Sequence, residues 1–197
     1  MGDGWMAWAE KVRSCVDWSE GDRARLQEVR GWLDADRERM IEDLGEQVVE
    51  FNGAQALKTN ARFMRRLHGL LREWLEGLLG GTFDGPSVRG REALGRELAH
   101  VDLTFEDVIL LEGMTRERLY AVARERLEGQ PDRLSAIMDT LNKAFTRDLA
   151  LIYAGYVDLH NAELERALLD RFLTITGFSP TLYDSLAEAA RWRDAEG

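Results

Sequence analysis

The sequence predicts an all-α fold. Leu, Ala, Arg and Glu, which all favour or tolerate helices, dominate the composition, and only 3 of the 197 residues are Pro. Apolar residues recur at intervals of three and four along most of the chain, whereas no long stretch alternates as a half-buried strand does. A chain of this length is sufficient for one well-buried core, so we expect one domain with terminal extensions.

Start and stop signals delimit the first helices. Ser19 and Asp22 have the spacing of a capping box, so we predict that the main domain begins at Ser19 and that residues 1–18 form an N-terminal helical extension. A second helix is expected from about Asp34 to the FNGAQ stretch. A third covers ARFMRRLHGLLREWLEGLLGG and stops at its final glycines.

The middle of the chain contains two more predicted helices. The FDGPS turn precedes VRGREALGRELAHV, which has an apolar face and ends before the DLT stretch. Thr104 and Asp107 repeat the capping-box spacing and predict a helix over FEDVILLEGMTRERLYAVARERL, which EGQPD terminates.

The last long helix is predicted to begin near Pro131 and to run to Leu168 or Phe172. At ~1.5 Å per residue it would be about 60 Å long, more than a domain of this size needs to cover its core. We therefore take residues 19–172 as the main domain. Residues 173–197 are expected to form a short C-terminal helix, starting at Ser179-Pro180, or the beginning of an output region.

Charge and composition exclude several classes of partner. A formal net charge of -10 repels phosphate backbones and anionic lipid, so neither nucleic acid nor a membrane is expected as a partner. The sequence has no run of about 20 apolar residues and no secretory h-region, which predicts a cytoplasmic protein. The one cysteine, Cys15, is expected to be an idle thiol.

No common catalytic or metal signature is present. The three histidines, His68, His100 and His160, are far apart, and HExxH, paired cysteines, a P-loop, GxGxxG and Gly-x-Ser-x-Gly are all missing from the sequence. Carboxylates alternate with arginine, as on solvated helix faces. The sequence therefore predicts neither an enzyme nor a metal site.

Three stretches follow one another as the helices of a known family do. They are WSEGDRARLQEVRGWLDADRERMIEDL, then LREWLEGLLGGTFDGPSVRGREALGREL, then TRDLALIYAGYVDLHNAELERAL. Their succession from Ser19 to Arg166 resembles the sensor globins, which are the N-terminal modules of globin-coupled sensors, and the related protoglobins. The resemblance implies a globin-like fold whose last helix runs toward an output module.

The positions of the haem ligands differ from that family. Its haem-bearing members read approximately Gly-Arg-x-His-x-Arg-Ile-Gly-Leu on the F helix; over GRELAHVDL this places Gly95 and Arg96 on the motif, Leu98 at the proximal histidine and His100 at the arginine. The distal tyrosine falls near Val48. RELAHVDLTFEDVILL also resembles the haem-free globin-like domains of bacterial stressosome and related stress-response regulators. The resemblance thus implies a protein without a cofactor, in which His100 is a turn residue.

Two sets of residues follow from this alignment. Large side chains are expected to fill the space of the macrocycle, and the predicted ligand-pocket lining is Val48, Phe51, Leu67, Leu70, Leu98, Val101 and Leu103. The overlong last helix predicts a homodimer through the last two globin helices. Its expected interface residues are Leu141, Phe145, Leu149, Ile152 and Tyr156.

Three hypotheses stay open. The first is a haem-free sensory and regulatory module that acts through dimerisation and contacts with an output domain or regulator protein. The alternative is a haem-based gas sensor in which His100 or His68 binds the iron. The second alternative is a helical adaptor without any ligand.

Overall fold

The computed structural model describes residues 2–177 except 52 and 54, together with 179, 181 and 185. Over these residues the chain forms seven α-helices, one 3-10 helix and no strand, which confirms the predicted all-α, globin-like class. The α-helices are α1 (Gly2–Cys15), α2 (Glu20–Trp32), α3 (Arg37–Phe51), α4 (Ala61–Gly80), α5 (Gly85–Ala99), α6 (Phe105–Arg126) and α7 (Pro131–Thr176), with the 3-10 helix at Gln55–Thr59.

Local signals set most helix boundaries. Both predicted capping boxes form, one at Ser19 before α2 and one at Thr104 before α6. In the first, the backbone N–H of Asp22 donates to Ser19 Oγ at 3.3 Å, and the backbone N–H of Ser19 donates to Asp22 Oδ2 at 2.9 Å. Gly81 ends α4 with a φ of 66°, a left-handed conformation that glycine adopts without steric cost.

Residues 1–156 form one compact unit around a hydrophobic core, and residues 157–197 form a second. Within the first unit, α1 packs on α5, where Ala9 lies with Val88 and Leu151 in a small buried cluster. The larger core lies among α2 to α7. The limits predicted for the main domain, after residue 18 and at residue 172, state which part of the chain folds on its own. These limits stay a prediction.

The last helix is longer than the sequence suggested. It continues past Leu168 and Phe172 to Thr176, and its 46 residues correspond to a length of about 70 Å. Gly177, with a φ of 71°, follows it, and its backbone N–H donates to Leu173 O. Thr181 and Ser185 are helical, whereas most of the predicted C-terminal helix lies outside the described residues.

Candidate functional site

Most of the predicted pocket residues lie in the core of the first unit. The buried members come from α3, α4, α5 and the turn before α6, and all belong to one contiguous apolar cluster: Val48, Leu67, Leu70, Leu98, Val101 and Leu103. Leu98, at the position of the proximal ligand, has no exposed surface. The position where the family resemblance implies an iron ligand is therefore occupied by a buried aliphatic side chain.

Phe51 was wrongly assigned to this lining. It is the last residue of α3, and 67% of its surface is exposed. The buried residues of α3 end at Val49, so the helix extends beyond the packed core before it stops. Helical spacing placed Phe51 on the same face as Leu44 and Val48, but spacing does not show where a core ends.

His100 caps the C-terminus of α5 and does not point into the core. Its backbone N–H donates to Arg96 O, which closes the last turn of the helix. Half of its side chain is exposed, and its Nδ1 lies 4.0 Å from Glu97 Oε1. His100 is thus a turn residue beside a surface carboxylate.

His68 has a different environment. Its Nε2 is buried and has no hydrogen-bond partner. A Cβ added to Gly45 would lie 2.7 Å from this nitrogen, so the imidazole packs directly against the backbone of α3. Buried polar atoms are normally hydrogen-bonded. Among the histidines of the described residues, His68 is the one whose ring has a buried nitrogen without a partner.

A buried charge cluster lies where α4, α5 and α7 meet, and the sequence analysis did not find it. Arg91 Nη1 donates to Asp148 Oδ1 at 3.3 Å and to Trp74 O at 3.0 Å. Arg147 Nη2 donates to Gly77 O and Leu78 O, both at 3.0 Å, near the C-terminal end of α4. The carbonyls at a helix C-terminus carry partial negative charge, which favours Arg147 there. Through these bonds Arg91 fixes α5 to α4, and Arg147 fixes α7 to α4.

Burial of this cluster has electrostatic consequences. Arg147 lies against the rings of Trp18 and Phe83, at 5.2 and 5.5 Å from their centroids. Loss of hydration lowers the pKa of Arg147 to about 10, and the nearby Asp148 carboxylate opposes this shift. A pKa near 10 leaves Arg147 charged at neutral pH, so its guanidinium is a buried cation held by the carbonyl groups of Gly77 and Leu78 and by the nearby Asp148 carboxylate.

Two glycines bring α5 and α7 into backbone contact. A Cβ on Gly95 would lie 2.3 Å from Ile152 O, and one on Gly155 would lie 2.2 Å from Glu92 O. Both distances are far below van der Waals contact, so neither position has room for a side chain. This contact and the Arg91–Asp148 pair fix α5 against α7 at two points.

The predicted dimer interface has to be corrected. Leu141, Phe145 and Ile152 have no exposed surface in the single chain, so they belong to the core and not to an interface. Leu149 and Tyr156 are half-buried, and the Tyr156 hydroxyl donates to Leu103 O at 3.0 Å. The neighbouring helices within the chain already cover the face on which these five residues were placed.

A different apolar surface is exposed on α6 and α7. Ile109, Leu110 and Tyr153 are each about half exposed. The ring of Phe105, one turn before Ile109, lies 4.7 Å from that of Tyr153. The sequence contained a signal for this surface, because the four residues from Val108 to Leu111 are all apolar. Val108 and Leu111 are buried in the core, and the two residues between them are exposed.

Two other features, a metal-binding cluster and a membrane-spanning helix, are absent from the described residues. No group of three or more His, Cys, Asp or Glu side chains is placed to hold a metal ion in that part of the chain. None of its helices has both the length and the apolar character needed to cross a membrane.

Comparison with known proteins identifies the family. Residues 7–161 match the family model described as Protoglobin, which is most of the chain. The chain belongs to the protoglobin family. No curated protein sequence matches it significantly. The match includes part of α1, which the sequence analysis had placed outside the globin-like domain.

A protoglobin fold implies a haem, whose iron the residues near Leu98 would have to bind. Haem iron needs an axial donor such as imidazole, thiolate, thioether or phenolate, and Leu98 offers none. His100 is half outside the protein, and the Tyr156 hydroxyl is already engaged with a backbone carbonyl. Leu98 and the donors at its own end of α5 therefore do not fit a haem, and the one histidine nitrogen of the described core without a partner is Nε2 of His68, which lies against Gly45 of α3.

Proposed function

We propose that this protoglobin is a haem-free sensory and regulatory module that acts through contacts with other proteins. The fully buried Leu98, at the position of the proximal ligand, is the observation that carries the proposal. With this reading the protein is not an enzyme, needs no cofactor and works in the cytoplasm. The resemblance of RELAHVDLTFEDVILL to stressosome-type domains supports a role in a bacterial stress response, with a regulator or output domain as partner.

The exposed surface around Ile109, Leu110 and Tyr153 is the proposed contact between two copies. An exposed cluster of large apolar side chains on two adjacent helices is typical of an interface, and a twofold dimer is the commonest way to cover one. The proposed dimer still uses the last two globin helices. Its residues are different from those that the sequence predicted.

Haem binding provides the sharpest test. We expect purified protein, expressed with ample haem, to show no Soret band and to gain only weak, nonstoichiometric absorption when titrated with hemin. The reason is that Leu98 offers no donor atom at the proximal position and that half of the His100 side chain lies outside the protein. Absorption spectroscopy with a known haem protein as positive control makes the measurement.

A stoichiometric Soret band would contradict the proposal. His100→Ala and His68→Ala then identify the ligand, because only the histidine that binds iron abolishes the band. Leu98→His offers a matched gain-of-function variant: if the alignment is right, it supplies imidazole at the proximal position and increases hemin binding relative to the unmodified chain.

A haem-based gas sensor is the second candidate function. The observation that favours it is the buried Nε2 of His68, which has no partner and could donate a lone pair to a ligand. Against it, the ring lies directly on the backbone of α3 at Gly45, so a macrocycle would have to separate α3 from α4. The same hemin titration on His68→Ala separates the two candidates.

The dimer has its own prediction. Leu110→Glu places a charge on the proposed contact surface, and we expect it to convert a dimer at tens of micromolar to a monomer, measured by light scattering. Leu57→Glu is the matched control, since Leu57 is also an exposed leucine but lies on the 3-10 helix, and this variant should keep the dimer. If the unmodified chain is already monomeric at that concentration, the dimer does not form.

A further inference from the structure

The end of α3, the 3-10 helix and most of α4 form a basic stretch in an acidic protein. Over the whole chain, acidic residues outnumber lysine and arginine by 36 to 26. Between Phe51 and Arg72, however, the sequence contains no Asp or Glu, and its five lysine and arginine residues are Lys58, Arg62, Arg65, Arg66 and Arg72. Positive charge is therefore concentrated in one part of the first unit.

Ion pairs within the chain account for three of these five cations. The pairs are Lys58–Glu50, Arg66–Glu97 and Arg72–Glu38. Arg62 and Arg65 are both exposed, and neither has an ion-pair partner among the described residues. Arg62 also lies in the first turn of α4, where the helix macrodipole disfavours a cation, whereas α2 and α6 begin with acidic residues. Helix stability therefore does not account for this arginine.

Exposed apolar side chains lie at the same end of the first unit. The Glu50–Lys58 pair joins the end of α3 to the 3-10 helix, and the backbone N–H of Asn60 donates to Leu57 O at 3.0 Å where the chain enters α4. Phe51 is 67% exposed and Leu57 is 36% exposed. Together with the two unpaired arginines they form a basic–apolar surface, which consists of Phe51, Leu57, Arg62 and Arg65.

We propose that the basic–apolar surface binds an acidic segment of a partner protein that carries large apolar side chains between its carboxylates. The carboxylates pair with the guanidinium groups of Arg62 and Arg65, which suit bidentate contact, and the apolar side chains pack on Phe51 and Leu57. Exposed charges more than about 8 Å apart are largely screened at physiological ionic strength. The acidic residues on other faces of the protein therefore do not cancel this local attraction.

A protein segment fits this surface better than nucleic acid or a membrane does. A protein that binds nucleic acid neutralises many phosphates, and this surface offers only two unpaired arginines. The net charge of -10 also opposes a duplex or an anionic bilayer, because both extend well beyond the contact itself. The inference rests on the proposed regulatory role, since it names the class of partner through which the module would act.

Fluorescence anisotropy with a labelled synthetic peptide, in which Glu and Leu alternate at helical spacing, tests the surface. We expect the unmodified chain to bind this peptide, more weakly as salt is raised, and the double variant Arg62→Glu with Arg65→Glu to bind it about tenfold less tightly or worse. Glutamate in the first turn of α4 favours the helix, so this loss would not come from unfolding. The same peptide with Ser in place of Leu should also bind more weakly.

Arg39→Glu with Arg126→Glu is the matched control. Both arginines are exposed and have no ion-pair partner in the part of the chain that the structure describes, and the control changes the net charge by the same amount. It should bind the peptide as the unmodified chain does. Equal affinities of the two double variants, or no binding by the unmodified chain, overturn the proposal.

Other results assign the surface to a different occupant and also overturn the proposal. Duplex DNA or phosphatidylserine vesicles that bind more tightly than the peptide, and only when Arg62 and Arg65 are present, indicate a phosphate-bearing partner. Conversion of a dimer to a monomer in the Arg62→Glu, Arg65→Glu variant, seen by light scattering, indicates a second copy. If the peptide fails to bind and no Soret band forms with hemin, this surface fails and the proposed function stands. A stoichiometric Soret band contradicts the proposed function whatever the peptide does.

Discussion

Asp148→Ala is expected to lower the free energy of unfolding by about 3–5 kcal/mol, the range seen when one partner of a buried ion pair is removed. The Asp148 carboxylate is buried and accepts from Arg91 Nη1, and it also lies 3.8 Å from Arg147 Nη2. Without it, two guanidinium groups remain in the core with only carbonyl oxygens as partners. The cost therefore comes from uncompensated buried charge more than from one lost hydrogen bond.

Urea denaturation followed by circular dichroism measures this loss. Asp139→Ala is the matched control, because Asp139 is an exposed carboxylate on the same helix, and its removal should change stability by less than about 0.5 kcal/mol. Equal losses of unfolding free energy in the two variants would show that the buried Asp148 carboxylate stabilises the fold no more than an exposed one.

Boundaries of helices could be predicted because their causes are local. The capping boxes at Ser19 and Thr104 and the glycine stop at Gly81 each depend on a few adjacent residues, and all three form as expected. The predicted end of α7 was too early. No strong stop signal lies near Leu168 or Phe172, and the helix continues until Gly177.

The buried charge cluster shows what local reasoning misses. Asp148 lies one helical turn from both Phe145 and Ile152, on the face that the apolar residues assign to the core. This position was a signal for a buried carboxylate. Its partner could not be found in the same way, since Arg91 lies 57 residues away and reaches Asp148 only because α5 packs on α7.

The same limit explains the errors about exposure. A period of three to four residues identifies an apolar face but does not say whether that face is covered by the same chain or by another. For Phe145 and Ile152 the cover is the core of the first unit, and for Phe51 there is none. That the residues around Leu98 share one buried cluster could be predicted because a resemblance supplied the three-dimensional arrangement that spacing lacks, whereas their role as the lining of a ligand pocket stays a prediction.

Gly155→Ala is expected to destabilise the protein by about 3 kcal/mol, at the upper end of the range for overpacking a core. The added Cβ would lie 2.2 Å from Glu92 O and 3.3 Å from Arg96 N. Both atoms are backbone of α5, so no side-chain rotation can remove the clash. Relief requires α5 to move away from α7, which also lengthens the Arg91–Asp148 contact.

Gly69→Ala provides a control of opposite sign. Gly69 lies inside α4, and a Cβ there meets no atom within 4 Å, so alanine should stabilise the helix by about 0.5–1 kcal/mol through its higher helix propensity. Urea denaturation of the two variants therefore compares the same substitution in the same type of helix. If Gly155→Ala is neutral or stabilising, α5 and α7 do not touch through their backbones. The packing of α5 on α7, which keeps Leu98 in the core, would then depend on the Arg91–Asp148 pair alone.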